Sequence, residues 1–281
     1  MERIPQGILS GEEAARRFEL SRHEPAPRLR PVVEYYWVLR WDLHGRPPYE
    51  QRVLPNLAVH VVFSSDASGV WGPGREVFTY RLGGHDQVLG VRVRPGCCRS
   101  LLGLPAADLA DGPLPLTAVF GTEAVRTEAA VRAAESPAEM VRHVDRLLDR
   151  DIAPPSTAEI RARETVAILA QDPGITRVDQ LSAATGLSVR TLQRTFAEHV
   201  GVSPKWAIRV YRLNDAARRI AADPRLDQAR LAGELGYSDQ AHFVRDFTAV
   251  VGSPPARYAR EQGPDDKRPP GTAAREAVSN R

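Results

Sequence analysis

The fold of the C-terminal third is decided by the stretch Leu181-Ser-Ala-Ala-Thr-Gly-Leu-Ser-Val-Arg-Thr-Leu-Gln-Arg-Thr-Phe196. A second stretch with the same plan follows, and it runs Leu231-Ala-Gly-Glu-Leu-Gly-Tyr-Ser-Asp-Gln-Ala-His-Phe-Val-Arg-Asp-Phe247. Leu181 matches Leu231 at an offset of 50 residues, and Phe196 matches Phe247 at 51 because the second copy has one more turn residue. The chain therefore repeats one structural unit.

Each copy carries the signals of two helices joined by a sharp turn. Gly186 and Gly236 can adopt the left-handed conformation that ends a first helix. Ser188 and Asp239 follow them and can accept a backbone amide hydrogen bond as N-caps of a second helix. The copies close at equivalent glycines, in Gly201-Val-Ser-Pro204 and Gly252-Ser-Pro254. The pattern predicts two helix-turn-helix units.

The second helix of each unit has one apolar side and one outward side. Leu192 and Phe196, and likewise Phe243 and Phe247, recur at four-residue intervals and are predicted to face the core. The outward side chains are Arg190, Gln193, Arg194 and Ala197 in the first unit and Gln240, Ala241, Val244 and Arg245 in the second. This division is typical of a helix that reads bases in the major groove, although a lone arginine on such a helix can also be a surface or ion-pair residue.

The segment between the units, Pro204 to Ala222, has a helical stripe formed by Trp206, Val210, Leu213, Ala217 and Ile220. At 1.5 Å per residue this helix would be roughly 28 Å long. Successive major-groove faces lie about 34 Å apart. We therefore predict a connector that holds both outward helices on one side of a duplex, so that one chain reads two adjacent major grooves.

The part before residue 150 has a different pattern. Runs rich in aromatic and β-branched residues, separated by turn residues, predict strands at residues 32–41, 57–63, 77–82 and 88–94. Strands at this spacing favour a small barrel or sandwich. A helix is predicted at Ala138 to Leu148 from its apolar face.

The boundary between the two parts is marked by prolines. Residues 151–155 end in Pro154-Pro155, which cannot lie inside a helix, and Ser156 with Glu159 forms a capping box at the start of the next one. Beyond residue 260 the chain is polar and rich in proline, which is typical of disorder. We expect a β-rich domain at 1–150, a linker at 151–155, an all-α domain at 156–260 and a disordered tail at 261–281.

Residues from about 158 to 260 resemble the DNA-binding domain of the AraC/XylS transcription regulators. The matching motifs are Ser188-Val-Arg-Thr-Leu-Gln-Arg-Thr-Phe196, Gly201-Val-Ser-Pro204, Leu235-Gly-Tyr-Ser-Asp-Gln-Ala-His-Phe-Val-Arg-Asp-Phe247 and Gly252-Ser-Pro254, with Tyr258. The resemblance implies seven helices, with two helix-turn-helix units joined by a long helix. It implies base-reading roles for Arg190, Gln193, Arg194, Gln240, Ala241 and Arg245, to which we add Thr191 as a DNA contact. His242 lies beside this face, and its position suits packing or a phosphate contact as well as base reading.

The N-terminal part resembles an uncharacterised domain that accompanies this reader. The resemblance lies in Val33-Glu-Tyr-Tyr-Trp37, Val53-Leu-Pro-Asn56, His60-Val-Val-Phe63 and Leu89-Gly-Val-Arg-Val-Arg-Pro-Gly96. It implies a β-rich, cupin-like barrel that senses an effector or dimerises. The whole chain is thus expected to be α+β.

Other functional classes find little support in the sequence. His44, His60 and His85 have no spacing that forces convergence on a metal, and His60 is expected to be a neutral structural residue. Cys97 and Cys98 could sense oxidants or be a buried, inert pair. A fused DNA-alkylation repair domain would need a cluster of zinc-binding cysteines, and only these two are present. A purely architectural DNA binder would usually be strongly basic, whereas the formal net charge is +3.

We therefore predict a sequence-specific transcription regulator that is not an enzyme and has no cofactor and no metal. The expected partners are double-stranded DNA, RNA polymerase, an unidentified small-molecule effector and a second copy in a homodimer. No apolar run approaches the roughly 20 residues of a membrane span, and the N-terminus lacks the apolar region of a signal peptide. We expect a cytoplasmic protein without a membrane partner.

Overall fold

The computed structural model describes residues 11–149 and 152–262. The strands are β1 Glu19–His23, β2 Val33–Asp42, β3 Tyr49–Val53, β4 His60–Phe63, β5 Gly69–Trp71, β6 Phe78–Leu82 and β7 His85–Val93. The N-terminal helices are α1 Gly11–Ala14, α2 Cys98–Leu102, α3 Leu116–Phe120, α4 Glu123–Ala133 and α5 Pro137–Leu147, with a 3-10 turn at Ala106–Leu109. The C-terminal helices are α6 Thr157–Gln171, α7 Val178–Thr185, α8 Val189–Thr195, α9 Pro204–Ala222, α10 Gln228–Glu234, α11 Gln240–Val251 and α12 Pro255–Gln262, with a π-helical turn at Phe196–Val200. The prediction of a β-rich part followed by a helical part is confirmed.

The described strands form two open antiparallel sheets. One has five strands in the order β1-β2-β7-β4-β5, and the other consists of β3 and β6 paired with each other. A closed barrel has no edge strands, yet β1 and β5 are both edges here. The cupin-like barrel expected from the resemblance is therefore not found among the described strands. The strands β3 and β6 pair with each other and leave both edges of the five-stranded sheet open.

Alternating side chains give the five-stranded sheet two different faces. Val61, Leu89 and Val91 face a helical layer and share its hydrophobic core with Met140 and Val144 of α5. On the opposite face the Trp37 ring lies directly over Gly90, where any Cβ atom would clash with it. The amphipathic helix expected at residues 138–148 is α5, displaced by one residue because Ser136 caps it. The N-terminal part thus has a core of its own.

The capping box predicted at the start of α6 is confirmed. Glu159 accepts the backbone N–H of Ser156 at 2.9 Å, and Ser156 Oγ accepts the N–H of Glu159 at 3.3 Å. Glu159 also accepts the backbone N–H and the hydroxyl of Ser100, at 3.0 and 2.8 Å. Burial by itself would raise the pKa of Glu159, but the hydrogen bonds from Ser156 and Ser100 outweigh it and lower that pKa. One carboxylate therefore caps a helix of the C-terminal part and binds the N-terminal part.

The seven helices α6–α12 are built around α9, which has the bounds predicted for the connector. Its residues Leu213, Ala217 and Ile220 join the core of the second unit, and Ala207, Ile208 and Val210 join the core of the first. Trp206, predicted to be buried, is only half-buried and touches both cores. Of the predicted tail, Glu261 and Gln262 end α12, and the remainder lies outside the described residues. None of the described helices combines the length and apolar character needed to cross a membrane.

Candidate nucleic-acid interface

The first unit consists of α7, a tight turn and α8. Gly186 ends α7 in the left-handed region with φ 68°. Ser188 is the N-cap of α8, and its Oγ accepts the backbone N–H of Thr191 at 3.2 Å. The turn is held further by Ser182, whose hydroxyl donates to the Leu187 carbonyl. These bonds fix the direction in which α8 leaves the turn.

The two sides of α8 have opposite environments. Leu192 and Phe196 are fully buried beside Leu181. Arg190, Gln193 and Arg194 are exposed, Thr191 is half-buried, and these four line one open concavity on the surface. Neither Arg190 nor Arg194 has an ion-pair or hydrogen-bond partner within residues 11–149 and 152–262. Two guanidinium groups are therefore available to an external acceptor.

The second unit consists of α10, a turn and α11. Gly236 has φ 73°, and Asp239 Oδ1 accepts the backbone N–H of His242 at 2.7 Å. This hydrogen bond lowers the pKa of Asp239 below its usual value. Asp239 is thus an ionised cap at neutral pH, at the positive end of the helix dipole.

The outward side of α11 is less polar than that of α8. Gln240, Ala241 and Arg245 are exposed. Phe243 and Phe247 are fully buried. Val244, expected to face outward, is half-buried against the core of the second unit. The outward surface of α11 therefore consists mainly of Gln240, Ala241 and Arg245.

A charged network beside α11 was not predicted. Asp246 forms an ion pair with Arg209 at 2.9 Å and accepts a hydrogen bond from the Tyr237 hydroxyl at 3.2 Å. His242 lies on the same side, with Nε2 3.8 Å from Asp246 and its ring edge-on to Tyr237 at 5.1 Å. The four-residue spacing of His242 and Asp246 could have indicated their contact, but nothing local pointed to Arg209. The network ties α11 to α9.

The first helix of the first unit is capped by one of its own side chains. Arg177 is the N-cap residue, and Gln180 Oε1 accepts the backbone N–H groups of Thr176 and Arg177 at 2.8 and 3.0 Å. The amide side chain thus does the capping from inside the helix. This detail leaves the position of α8 unchanged.

The titratable groups of the N-terminal part are enclosed. Trp37 Nε1 donates to His60 Nδ1 at 3.2 Å, and His60 Nε2 faces Asn56 Oδ1 at 3.3 Å. Burial, assisted by the Arg92 charge, lowers the pKa of His60 to about 3, as expected of a neutral structural histidine. Burial also raises the pKa of Cys97 to about 11 and that of Cys98 to about 12, which fits the inert alternative for the pair.

The histidines do not gather at one point. The rings of His44 and His85 stack at 6.3 Å, a contact that their sequence spacing did not predict, while His60 lies among Trp37 and Asn56. Among the described residues, no group of three His, Cys, Asp or Glu side chains is placed to hold a metal ion.

Two family models match the chain. Residues 181–261 match a model described as a helix-turn-helix domain, and residues 21–115 match one described as a domain of unknown function, DUF6597. An uncharacterised HTH-type transcriptional regulator of Haemophilus influenzae is 30% identical over 95 residues, which make up 34% of this chain and 32% of that protein. The chain thus spans about a third of the length of this curated relative.

Solved structures of ToxT from Vibrio cholerae overlap the chain over most of its length. The protein from strain O395 is 10% identical, with a TM-score of 0.39 over 91% of this chain and 96% of that one. ToxT of strain SCE256, solved with an unsaturated fatty acid bound, is 9% identical, with a TM-score of 0.33 over 90% of this chain and 92% of that one.

The domain matches coincide with the two parts that the motifs separate. The helix-turn-helix match contains α8, α9 and α11 entire, and the DUF6597 match contains β2 to β7. Residues 181–261, whose motifs resemble those of the AraC/XylS regulators, therefore match a helix-turn-helix domain, and residues 21–115 before them match DUF6597.

Proposed function

We propose that the chain is a sequence-specific DNA-binding transcription regulator that reads two adjacent major grooves with α8 and α11. The observation that carries the proposal is the pair of capped helices attached to one rigid helix, α9, each with its apolar side buried and its other side exposed. A single chain of this kind can engage both grooves.

The helix α8 supplies most of the direct readout. Arg190 and Arg194 are exposed and unpaired among the described residues, and an arginine can hold the O6 and N7 atoms of a guanine. Gln193 can pair in the same bidentate way with an adenine. Thr191 is half-buried beside them and suits a phosphate or a nearby base.

The helix α11 supplies the second contact. Gln240 and Arg245 are its exposed polar groups, and Ala241 can meet a thymine methyl group. Gly186 with Ser188, and Gly236 with Asp239, set the turns that present the two helices. At roughly 28 Å, α9 is slightly shorter than the distance of about 34 Å between major-groove faces, which suits two helices carried beyond its ends.

We further propose that the N-terminal domain receives the signal and is not an enzyme. Its separate core supports an independent role, and a half-exposed aromatic surface could receive an effector or a second copy of the chain. In this surface Phe78 is 42% exposed, and its ring meets that of Trp71 at 5.3 Å. RNA polymerase is the partner on which a transcription regulator acts, and we assign the protein to the cytoplasm because its proposed DNA target lies there in bacteria.

The proposal is tested by selecting duplexes from a randomised library with the full chain. We expect an enriched motif with two parts on one side of the duplex, and its positions in the genome would identify the regulated genes. The double variant Arg190→Ala and Arg194→Ala should lose the first part of the motif, while Arg257→Ala, which removes a surface ion pair with Glu261, should keep both. A wild-type chain that enriches no sequence at low salt would refute the proposal.

The domain boundaries lead to a separate proposal. Residues 156–260 form the reader, and a fragment of residues 154–260 should bind the selected duplexes without the N-terminal domain. Because Leu54 and Leu57 of the N-terminal domain complete the cores of the reader, the fragment should melt at a lower temperature than the full chain. An unfolded fragment would place the boundary elsewhere.

A further inference from the structure

The glycines that close the two helix-turn-helix units share a conformation. Gly201 follows the π-helical turn after α8 with φ 79°, and Gly252 follows α11 with φ 80°. They are equivalent positions of the repeat, 51 residues apart in sequence. Both lie against the N-terminal domain, and at Gly201 the absence of a side chain is what permits the contact.

At Gly201 the contact is between two backbones. A Cβ atom built on Gly201 would lie 2.7 Å from the carbonyl oxygen of Ala106 and 3.0 Å from its carbonyl carbon. Ala106 is buried at the start of the 3-10 turn Ala106–Leu109. A backbone oxygen in a buried turn has no room to move aside, so this position fixes the distance between the turn and the end of the first unit.

At Gly252 the contact is made by an arginine. Arg52 of β3 donates from Nη2 to the carbonyl oxygen of Val251, the last residue of α11, at 3.0 Å. A Cβ atom on Gly252 would lie 2.6 Å from the same Nη2 atom. The C-terminal end of a helix carries a partial negative charge that favours a cation. Arg52 thus holds the end of the second recognition helix.

Neighbouring contacts extend this attachment without reaching the exposed outward sides of α8 and α11. Leu54 packs in the core that holds Phe243 and Phe247. Asn214 of α9 donates to the Pro55 carbonyl at 3.0 Å. The glycines inside the turns are different: Gly186 has open space around it, and Gly236 meets Thr176 of its own domain. The N-terminal domain therefore contacts the closing glycine of each unit and not the turn glycine.

We propose that the N-terminal domain is a frame that sets the angle between the two recognition helices, with Arg52 as its positioning residue for α11 and the Ala106 turn as its contact for the first unit. By fixing that angle, the frame selects the spacing between the two half-sites on DNA. This part of the inference rests on the proposed DNA binding. An effector or a second copy that moved the N-terminal domain would act through the same two contacts.

The first experiment measures the distance between the two recognition helices in the absence of DNA. Spin labels are placed on the full chain at Ala197→Cys and Ala249→Cys, two exposed positions next to α8 and on α11. The native thiols stay unlabelled because Cys97 and Cys98 are buried and poorly ionised. We expect Arg52→Ala to broaden or shift the distribution of distances between the labels, and Gly201→Ala to do the same.

Two control variants distinguish loss of the contact between the two domains from loss of a surface charge and from backbone strain. Arg81→Ala removes an exposed arginine from β6, the partner strand of β3. Gly45→Ala places alanine at a left-handed position with φ 71° in open space, outside both helix-turn-helix units, so it reproduces the backbone strain of Gly201→Ala without the clash. Both should keep the wild-type distance distribution. If Gly201→Ala does not fold, Arg52→Ala decides the test, and a wild-type distribution in Arg52→Ala overturns the proposal.

The second experiment measures spacing on DNA. The full chain and Arg52→Ala are titrated against duplexes carrying the two selected half-sites, with the spacer changed by one base pair at a time. The preference of the wild type for its best spacing should shrink roughly fivefold or more in Arg52→Ala, the low end of typical coupling between sites, and remain in Arg81→Ala. An unchanged spacing preference in Arg52→Ala would overturn the proposal that the N-terminal domain sets this spacing. A wild-type chain that binds no duplex would refute the proposed function alone, because the label distances would still test the frame.

Discussion

The two helix-turn-helix units have the same plan and different cores. In the second unit the ring of Phe247 lies 5.5 Å from that of Phe243 and 5.6 Å from that of Tyr258. In the first unit Phe196 occupies the equivalent buried position among aliphatic side chains such as Leu181 and Val200. The second unit thus contains paired aromatic rings at the position where the first has a single phenylalanine ring among aliphatic side chains.

The two units also differ in the ion pairs that their charged side chains form. In the second unit Asp246 engages Arg209 and Tyr237, and Arg219 and Arg230 both reach Glu234. In the first unit Arg190 and Arg194 have no such partner among the described residues. Arg245 of the second unit is likewise without an ion pair or hydrogen bond among the described residues. The difference teaches that a repeated motif can acquire a second task in one copy, since the second unit adds a charged network that anchors its outward helix to α9.

The largest expected effect tests the packing side of this comparison. Phe247→Ala should lower the free energy of unfolding by about 3–5 kcal/mol, as deletion of a buried ring generally does. The matched variant Phe196→Ala removes an equally buried ring that forms no ring pair among the described residues. Since aromatic pairs add about 0.5–1.5 kcal/mol each, the loss at Phe247 should be the greater in urea unfolding of the full chain. Equal losses would remove the distinction between the cores.

The next effect tests the reading side. Arg194→Ala should weaken binding to the selected duplex by about 1–3 kcal/mol and relax the preference at one base position. Arg245→Ala should cost a similar or smaller amount, with more of the loss shared by all sequences, because we propose that α11 acts more through phosphates. Binding of both variants to a randomised library measures this. Unchanged base preference in Arg194→Ala, together with a strong change in Arg245→Ala, would reverse the assignment.

A smaller effect concerns the cap of α8. Ser188→Ala removes the acceptor of the Thr191 amide and should cost about 1 kcal/mol of stability. Ser238→Ala is the control, since the Ser238 hydroxyl is exposed and bonds only the neighbouring Asp239 carboxylate among the described groups. It should change stability by less than about 0.5 kcal/mol. Thermal melting of both variants compares them, and an equal loss would argue against a capping role for Ser188.

The smallest effect distinguishes the two caps by pH. Because the folded state lowers the pKa of Asp239, its capping contribution is complete above the unfolded value of about 3.9 and is lost as pH falls through the lower folded value. Asp239→Asn keeps a capping side chain that does not titrate. The stability difference between wild type and Asp239→Asn should therefore change in favour of the variant as acid is added. A difference that stays constant with pH would show that the carboxylate does not cap.

Local signals were sufficient for much of the helical part. The bounds of α9 and the capping box of Ser156 and Glu159 depend on residues within one or two turns of each other, so the sequence contains them in full. The contact of Glu159 with Ser100 joins residues 59 positions apart, and that of Arg52 with Val251 joins residues 199 apart. No periodicity encodes such pairs. For the same reason alternation predicted strands but not their order, and the expected barrel proved to be two sheets.

The helix α9 has a consequence for how the molecule comes apart. One of its ends contributes to the core of the first unit and the other to that of the second, and Trp206 contributes to both. If heat or a protease unfolded one unit, half of the apolar stripe of α9 would be exposed to water. The other unit would then be less stable, because it packs on the same helix. Unfolding should therefore pass between two states without a populated intermediate that retains one reader. A cell containing this chain would therefore hold molecules with both helix-turn-helix units folded or with both unfolded. Its quality-control proteases would remove the unfolded ones.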